Sequence, residues 1–282
     1  MKRLFFAVLL FPLATQAQWN VNLFGGFANY IGELQSSPYT TQQAHFAGGL
    51  GLQYDLTGHF SLLTNINFGH VGASDAYSQQ ADVRARNLSF GTNIGEVNLL
   101  AEYNLIDLRN HNFSPYIYVG VAIYHFNPYA YDTLGNKVYL RPLSTEGEGL
   151  PQYPGIHPYA LTQFAIPFGG GIKFRISDKV ILAYDIGLRK LFTDYLDDVS
   201  GKYVDQNVLL ADKGPQAVEM AYRGNELKGG AGYPPVGTIR GNARTKDWYY
   251  FSGIRVIIAF NTSGIELHRR ARGILDCPKN VY

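Results

Sequence analysis

Alternate positions along this chain differ in polarity over eight separate runs. From Trp19, one set reads Trp19, Val21, Leu23, Gly25 and Phe27, and the set between reads Asn20, Asn22, Phe24, Gly26 and Ala28. Residues 46–54 and 60–69 repeat the pattern. Phe46, Leu50, Leu52, Phe60, Leu62, Ile66 and Phe68 alternate with Gly49, Gly51, Gln53, Ser61, Asn65 and Asn67. Further runs lie at 96–103, 117–124, 164–175, 180–189 and 248–260. A period of two puts successive side chains on opposite faces of a β-strand. Eight strands with one apolar and one small or polar face predict an all-β fold, an eight-stranded antiparallel up-and-down transmembrane β-barrel. Trp19, Tyr54, Phe60, Trp248, Tyr250 and Phe260 fall at run ends, as interfacial aromatic girdles do.

The connections between runs alternate in length. Those at 57–58, 106–112 and 177–178 are short; those at 32–43, 71–86, 128–158 and 194–246 are long. Outer-membrane barrels have short periplasmic turns and long extracellular loops. An even number of strands then places both termini in the periplasm.

The face expected to point inward carries Glu96, Glu102, Lys173, Arg175, Asp185, Arg189 and Arg255. A soluble up-and-down barrel with a lipid pocket would have the reverse polarity, apolar inside and polar outside. Side chains fill the interior of an eight-stranded barrel. The seven charges are therefore expected to form an internal salt-bridge network rather than a conduit. The glycines at 169–171 sit mid-strand with no helix following, which suits a bend or close packing and not a phosphate cradle.

Composition agrees. Charged residues are 16% of the chain, where a soluble domain has about a quarter. Aromatics are 14%, and Tyr alone numbers 21. A net charge of +2 is too small to suggest a nucleic-acid partner. Met1-Lys2-Arg3, the apolar stretch 4–13 and Thr15-Gln16-Ala17 read as a secretory signal peptide cleaved after Ala17. The domains expected are therefore a signal peptide (1–17), an outer-membrane barrel (18–260) with outer-membrane lipid around it, and a periplasmic tail (261–282). The single cysteine, Cys277, cannot close an internal disulfide; it is free or pairs with another chain.

Catalytic patterns are missing: there is no GxSxG, HExxH or P-loop sequence. His70 and Asp75 are the nearest to an acid–base dyad, with a solvated loop histidine as the plainer reading. Asp194, Asp197 and Asp198 are candidate cation ligands, but no further spaced oxygen ligands complete a loop pattern, and a solvated or salt-bridged loop is preferred. No enzyme activity, cofactor or metal is expected. The tail differs from the strands. Residues 266–272, ELHRRAR, form a basic, helix-capable stretch flanked by Ile265, Leu267, Ile274 and Leu275, before Cys277-Pro278. Arg269, Arg270, Arg272 and Cys277 are therefore candidate contacts to a periplasmic partner, through either an intermolecular disulfide or a packed thiol at Cys277.

Several longer motifs resemble one known family. They are YIGEL (30–34), RNLSFGTNIGE (86–96), YLRPLSTEGEG (139–149), IPFGGGIK (166–173), TDYLDDVSG (193–201) and RGNARTKDWYYF (240–251). Together they resemble the PorG family of outer-membrane barrels of Bacteroidetes, over nearly the whole mature chain. That resemblance implies a component of the type IX secretion system, tied to a periplasmic ring of a PorK-like lipoprotein and a PorN-like protein. The family has no known catalytic residues, so none are transferred. The rival expectation is a small porin or ligand-binding barrel of unrelated role.

Overall fold

A computed structural model describes residues 18–35 and 40–260. Residues 1–17, where a signal peptide is expected, and the tail 261–282, with Arg269, Arg270, Arg272 and Cys277, lie outside the described residues. Eight long strands alternate along the chain: β1 (Gln18–Ile31), β2 (His45–Asp55), β3 (Phe60–Ser74), β4 (Ser89–Asn104), β5 (Phe113–His125), β8 (Thr162–Arg175), β9 (Val180–Leu191) and β10 (Trp248–Ala259). The short strands β6 (Tyr129–Tyr131) and β7 (Lys137–Tyr139) make a hairpin between β5 and β8. Each long strand pairs antiparallel with its neighbour, β1 pairs with β10, and β3–β4 completes the ring. The fold is a closed eight-stranded antiparallel β-barrel. Closure leaves no free edge among the eight long strands.

The two faces fall as the alternation predicts. Phe46 (73% exposed), Phe68 (63%) and Val121 (60%) point outward with Ile117, Leu99 and Phe164, giving the barrel an apolar outer belt. Asn20, Asn22, Gln53, Ser61, Asn67 and Asn98 point inward and are buried. None of the described helices is long and apolar enough to cross a membrane.

The strands outrun their sequence signal at the long-loop end. β3 continues to Ser74 and β4 begins at Ser89, so the connection between them is shorter than the stretch 71–86 suggested. The reason is visible in burial. Residues 28–30, 71–73 and 90–92 are buried consecutively, so both faces of these strands are covered and the polarity contrast disappears. The covering material is the long connections, which carry structure of their own. They include α1 (Ala81–Arg86), the β6–β7 hairpin, α2 (Gln206–Lys213) and α3 (Pro215–Ala221). Asp205 caps α2 by accepting from the backbone N–H groups of Asn207 and Val208. Leu150, Val204, Leu209, Ala217 and Ala221 form a small core within this cap. A larger core joins it to the barrel mouth through Tyr30, Phe90, Phe126, Leu196 and Phe251.

The glycines at 169–171 make room inside. A Cβ on Gly169 would meet Gly187 Cα at 2.7 Å and the Tyr118 hydroxyl at 2.8 Å. The absent side chains let Tyr116 and Tyr118 cross the barrel interior, the close-packing role expected of the triplet.

Candidate functional site

Two polar clusters are built into the molecule, one inside the barrel and one beneath the cap. The interior one grows from strand register. Glu96 and Glu102 lie on the inner face of β4, Lys173 on β8, Asp185 and Arg189 on β9, and Arg255 on β10. Arg189 donates to Glu96 twice, at 2.9 and 3.1 Å. Tyr249, Asn67 and Asn98 also donate to Glu96, at 2.7, 2.9 and 2.7 Å. Lower down, Glu102 accepts from Lys173 and Arg255. Asp185 accepts from the hydroxyls of Tyr116 and Tyr118 at 2.8 and 2.9 Å, and Arg255 lies 3.5 Å away. Lys173 is 1% exposed and Glu102 is fully buried.

Three acids and three bases thus neutralise one another, as a low-dielectric interior requires. The space left among Asn22, Asn67, Asn98, Asp185, Arg189 and Arg255 is a cavity of about 30 Å³, room for about two waters. Neither amide atom of Asn22 has a protein partner there. Arg175 is the exception to the expected network. It is half-buried at the end of β8, where its nearest charges are Asp178 and Asp107 of the short turns. The inner face there opens toward solvent, so its charge needs no buried counterpart.

The second cluster lies where four distant segments meet under the cap. The Tyr30 hydroxyl, from the end of β1, donates to Asp197 Oδ2 at 2.6 Å and faces Asp247 Oδ1 at 3.0 Å. Asp247 Oδ2 accepts from the Leu196 N–H, and Asp197 Oδ1 from the Val199 N–H. Asp194 accepts from the Ser200 hydroxyl at 2.8 Å. Glu33 accepts from the Asn242 N–H at 3.3 Å. One carboxylate oxygen each of Glu33, Asp194 and Asp247 lies within 4.8 Å of the others. Burial, then the charge of Glu33, pushes the Asp194 carboxyl up to about 7. Burial and the neighbouring acids raise Asp197 and Asp247 well above the usual carboxylate range.

Beside this, Arg240 binds Glu146 at 2.9 Å and approaches Asp198 at 3.9 Å. Asp198 accepts from the Tyr159 hydroxyl at 2.7 Å and from Thr145. Burial, with Asp198 and Glu146 nearby, pushes Glu148 up to about 8.

The His70–Asp75 dyad does not form. His70 is carried on β3, where its ring meets Asn93 Oδ1 at 2.9 Å and packs edge-on against His45. Asp75 is fully buried and held by Arg86 at 2.8 Å through both oxygens, and by the Leu88 N–H. Extending β3 to Ser74 puts the two residues on different structures. The aspartates of 194–198 are buried and not a single group, which corrects the solvated half of the loop reading and keeps the salt-bridged half for Asp198: Asp194 joins Glu33, Asp197 turns to Tyr30, and Asp198 pairs with Arg240. Glu33, Tyr30, Glu146, Arg240 and Asp247 escaped residue-by-residue reasoning. The signal that could have found them was there: each lies in one of the motifs YIGEL, STEGEG or RGNARTKDW, and these segments fold onto one another.

A family model described as "Domain of unknown function (DUF6089)" matches residues 2–141. No curated protein matches the chain. Among solved structures, it is similar to Neisserial surface protein A at 9% identity and a TM-score of 0.42, covering 87% of this chain and 99% of that one. A major outer membrane protein from Thermus thermophilus is similar at 14% identity and 0.43, covering 87% and 100%. The outer membrane protein OprG from Pseudomonas aeruginosa is similar at 9% and 0.42, covering 86% and 97%. The strand pairing described above, rather than these likenesses, establishes the barrel.

Proposed function

We propose that this chain is a non-enzymatic outer-membrane component of the type IX secretion system, anchoring a periplasmic ring of PorK-like and PorN-like proteins. The observation that carries the reading is the filled barrel. Six charged side chains close on one another around a cavity of about 30 Å³. Such an interior suits neither a conduit nor a reaction chamber, and it leaves the ends of the barrel to do the work. The apolar belt seats the barrel in lipid. The short turns and the basic tail face the periplasm, where Arg269, Arg270, Arg272 and Cys277 contact the ring. The motif resemblance to the PorG family supplies the identity of that ring.

Cross-linking in whole cells, with partner identification, tests the anchor. Recovery of a ring lipoprotein through the tail is expected. Its absence when the tail is intact, together with steady single-channel conductance of the purified barrel in a planar bilayer, would replace the anchor with a small porin. Reducing against non-reducing gels test the bridge at Cys277: the disulfide form shifts in wild type and not in Cys277→Ser.

A further inference from the structure

We propose that Glu33, Asp194 and Asp247 form a calcium site that clasps the loop cap to the mouth of the barrel. The proposal stands independently of any role in secretion. The three residues come from the start of the first long connection, the start of the longest loop and the residue just before β10. Their carboxylate oxygens lie within 4.8 Å of one another, the widest spacing that two oxygens on one calcium reach at about 2.4 Å per bond. Three carboxylates supply a hard, all-oxygen donor set; calcium takes 6–8 such ligands and tolerates irregular geometry, with water completing the shell.

Two oxygens on these side chains point independently to a missing positive partner. Asp194 is 2% exposed, yet its Oδ1 accepts no hydrogen bond. Glu33 Oε2 is likewise buried and without a donor. Buried carboxylate oxygens are ordinarily satisfied, and one left without a donor asks for an ion or a proton. Among the described residues, the bases nearby give their hydrogen bonds to other groups. Arg86 is committed to Asp75 and Arg240 to Glu146, and the Lys246 ammonium, whose charge is felt at Asp194, donates to the Ala243 carbonyl in an exposed position. The site is also tightly walled. Gly32 lies so close that a Cβ there would meet the Tyr30 hydroxyl and Asp247 Oδ1. Tyr30 then serves as the positioning residue. Its single proton is shared between Asp197 and Asp247, which orients the latter.

The phenol beside Asp247 also provides a probe, because terbium, a calcium mimic, luminesces when sensitised by a nearby tyrosine. Full-length protein purified in detergent is titrated with terbium and excited through tyrosine. Saturation at one ion per chain is expected, with displacement by calcium. Asp194→Asn should weaken binding about tenfold or more, since affinity at such sites follows ligand charge. Glu33→Gln, at a partly exposed position and with the Oε1 acceptor kept, should do the same. Asp212→Asn, an exposed carboxylate on α2, should leave the titration unchanged. Calcium should also slow proteolysis within 192–247 in the wild type, and chelator should reverse that. Terbium binding that fails to saturate, or that is equal in wild type, Asp194→Asn and Glu33→Gln, would overturn the site. So would a cap that Asp194→Asn tightens in the absence of calcium while wild type gains nothing from the ion, which is the signature of acids holding a shared proton instead.

Discussion

Replacing Arg189 by Met should destabilise the barrel by about 3–5 kcal/mol, because it strands a buried charge. The structure sets where in that range the cost falls. Glu96 accepts five hydrogen bonds: two from Arg189 and one each from Tyr249, Asn67 and Asn98. The three that survive in Arg189→Met still solvate the carboxylate, so the lower end, about 3 kcal/mol, is expected. Glu96→Gln keeps the shape and removes the charge, and leaves the guanidinium unpaired at a similar cost. The double variant removes both charges together and should recover most of the loss, giving a coupling of about 2 kcal/mol or more. Urea titrations of the protein folded in lipid vesicles measure this. The reporters are Trp19 and Trp248, the chain's two tryptophans, at strand ends on the outer face. Losses that add to within about 0.5 kcal/mol would refute the reasoning, since they would mean that Glu96 and Arg189 do not depend on each other for charge compensation.

Three further outcomes follow from the same geometry. Val121→Arg, on the outer belt near the middle of β5, should cost about 2–4 kcal/mol in vesicles if that face meets lipid; a cost below about 0.5 kcal/mol would place the belt in water. Gly26→Ala sets a methyl against Gly253 Cα, 2.6 Å away on the neighbouring strand, and should cost about 1–3 kcal/mol by overpacking in the same urea assay. Glu148 holds its proton to about pH 8 in the folded cap, whereas an exposed glutamate releases it near pH 4.3. The folded form therefore binds a proton that the open form lacks between those values. Relative to the open form, the cap loses stability as pH rises from the lower value to the upper one, by about 1.4 kcal/mol per unit per proton. Hydrogen exchange in 139–160 at roughly pH 6 and pH 9 reads this slope, and Glu148→Gln should flatten it; an unchanged slope in that variant would assign the effect elsewhere.

The barrel itself was legible because its physics is local. A strand embedded between lipid and a packed interior must alternate, so Trp19 to Phe27 and Phe60 to Phe68 announce both the element and its direction. The same alternation named the six interior charges that pair across β4, β8, β9 and β10, since a charge on the inner face of a narrow barrel has nowhere else to go. Arg175 failed that inference by only its height along the strand, a coordinate that period-two reasoning does not carry. The long loops were opaque for a different reason. Their burial comes from contacts between segments far apart in the chain, such as Tyr30 with Asp197 and Asp247, or Glu146 with Arg240. No periodicity encodes such contacts, so Glu33 drew no attention and Asp194, a candidate cation ligand, had no visible partners. The sequence alone determined the existence of the strands, their faces and, Arg175 apart, which charges face the interior. Only the tertiary structure decided that the loops fold into a cap and that their acids converge on one buried point, because which segments meet there depends on the closure of the whole ring.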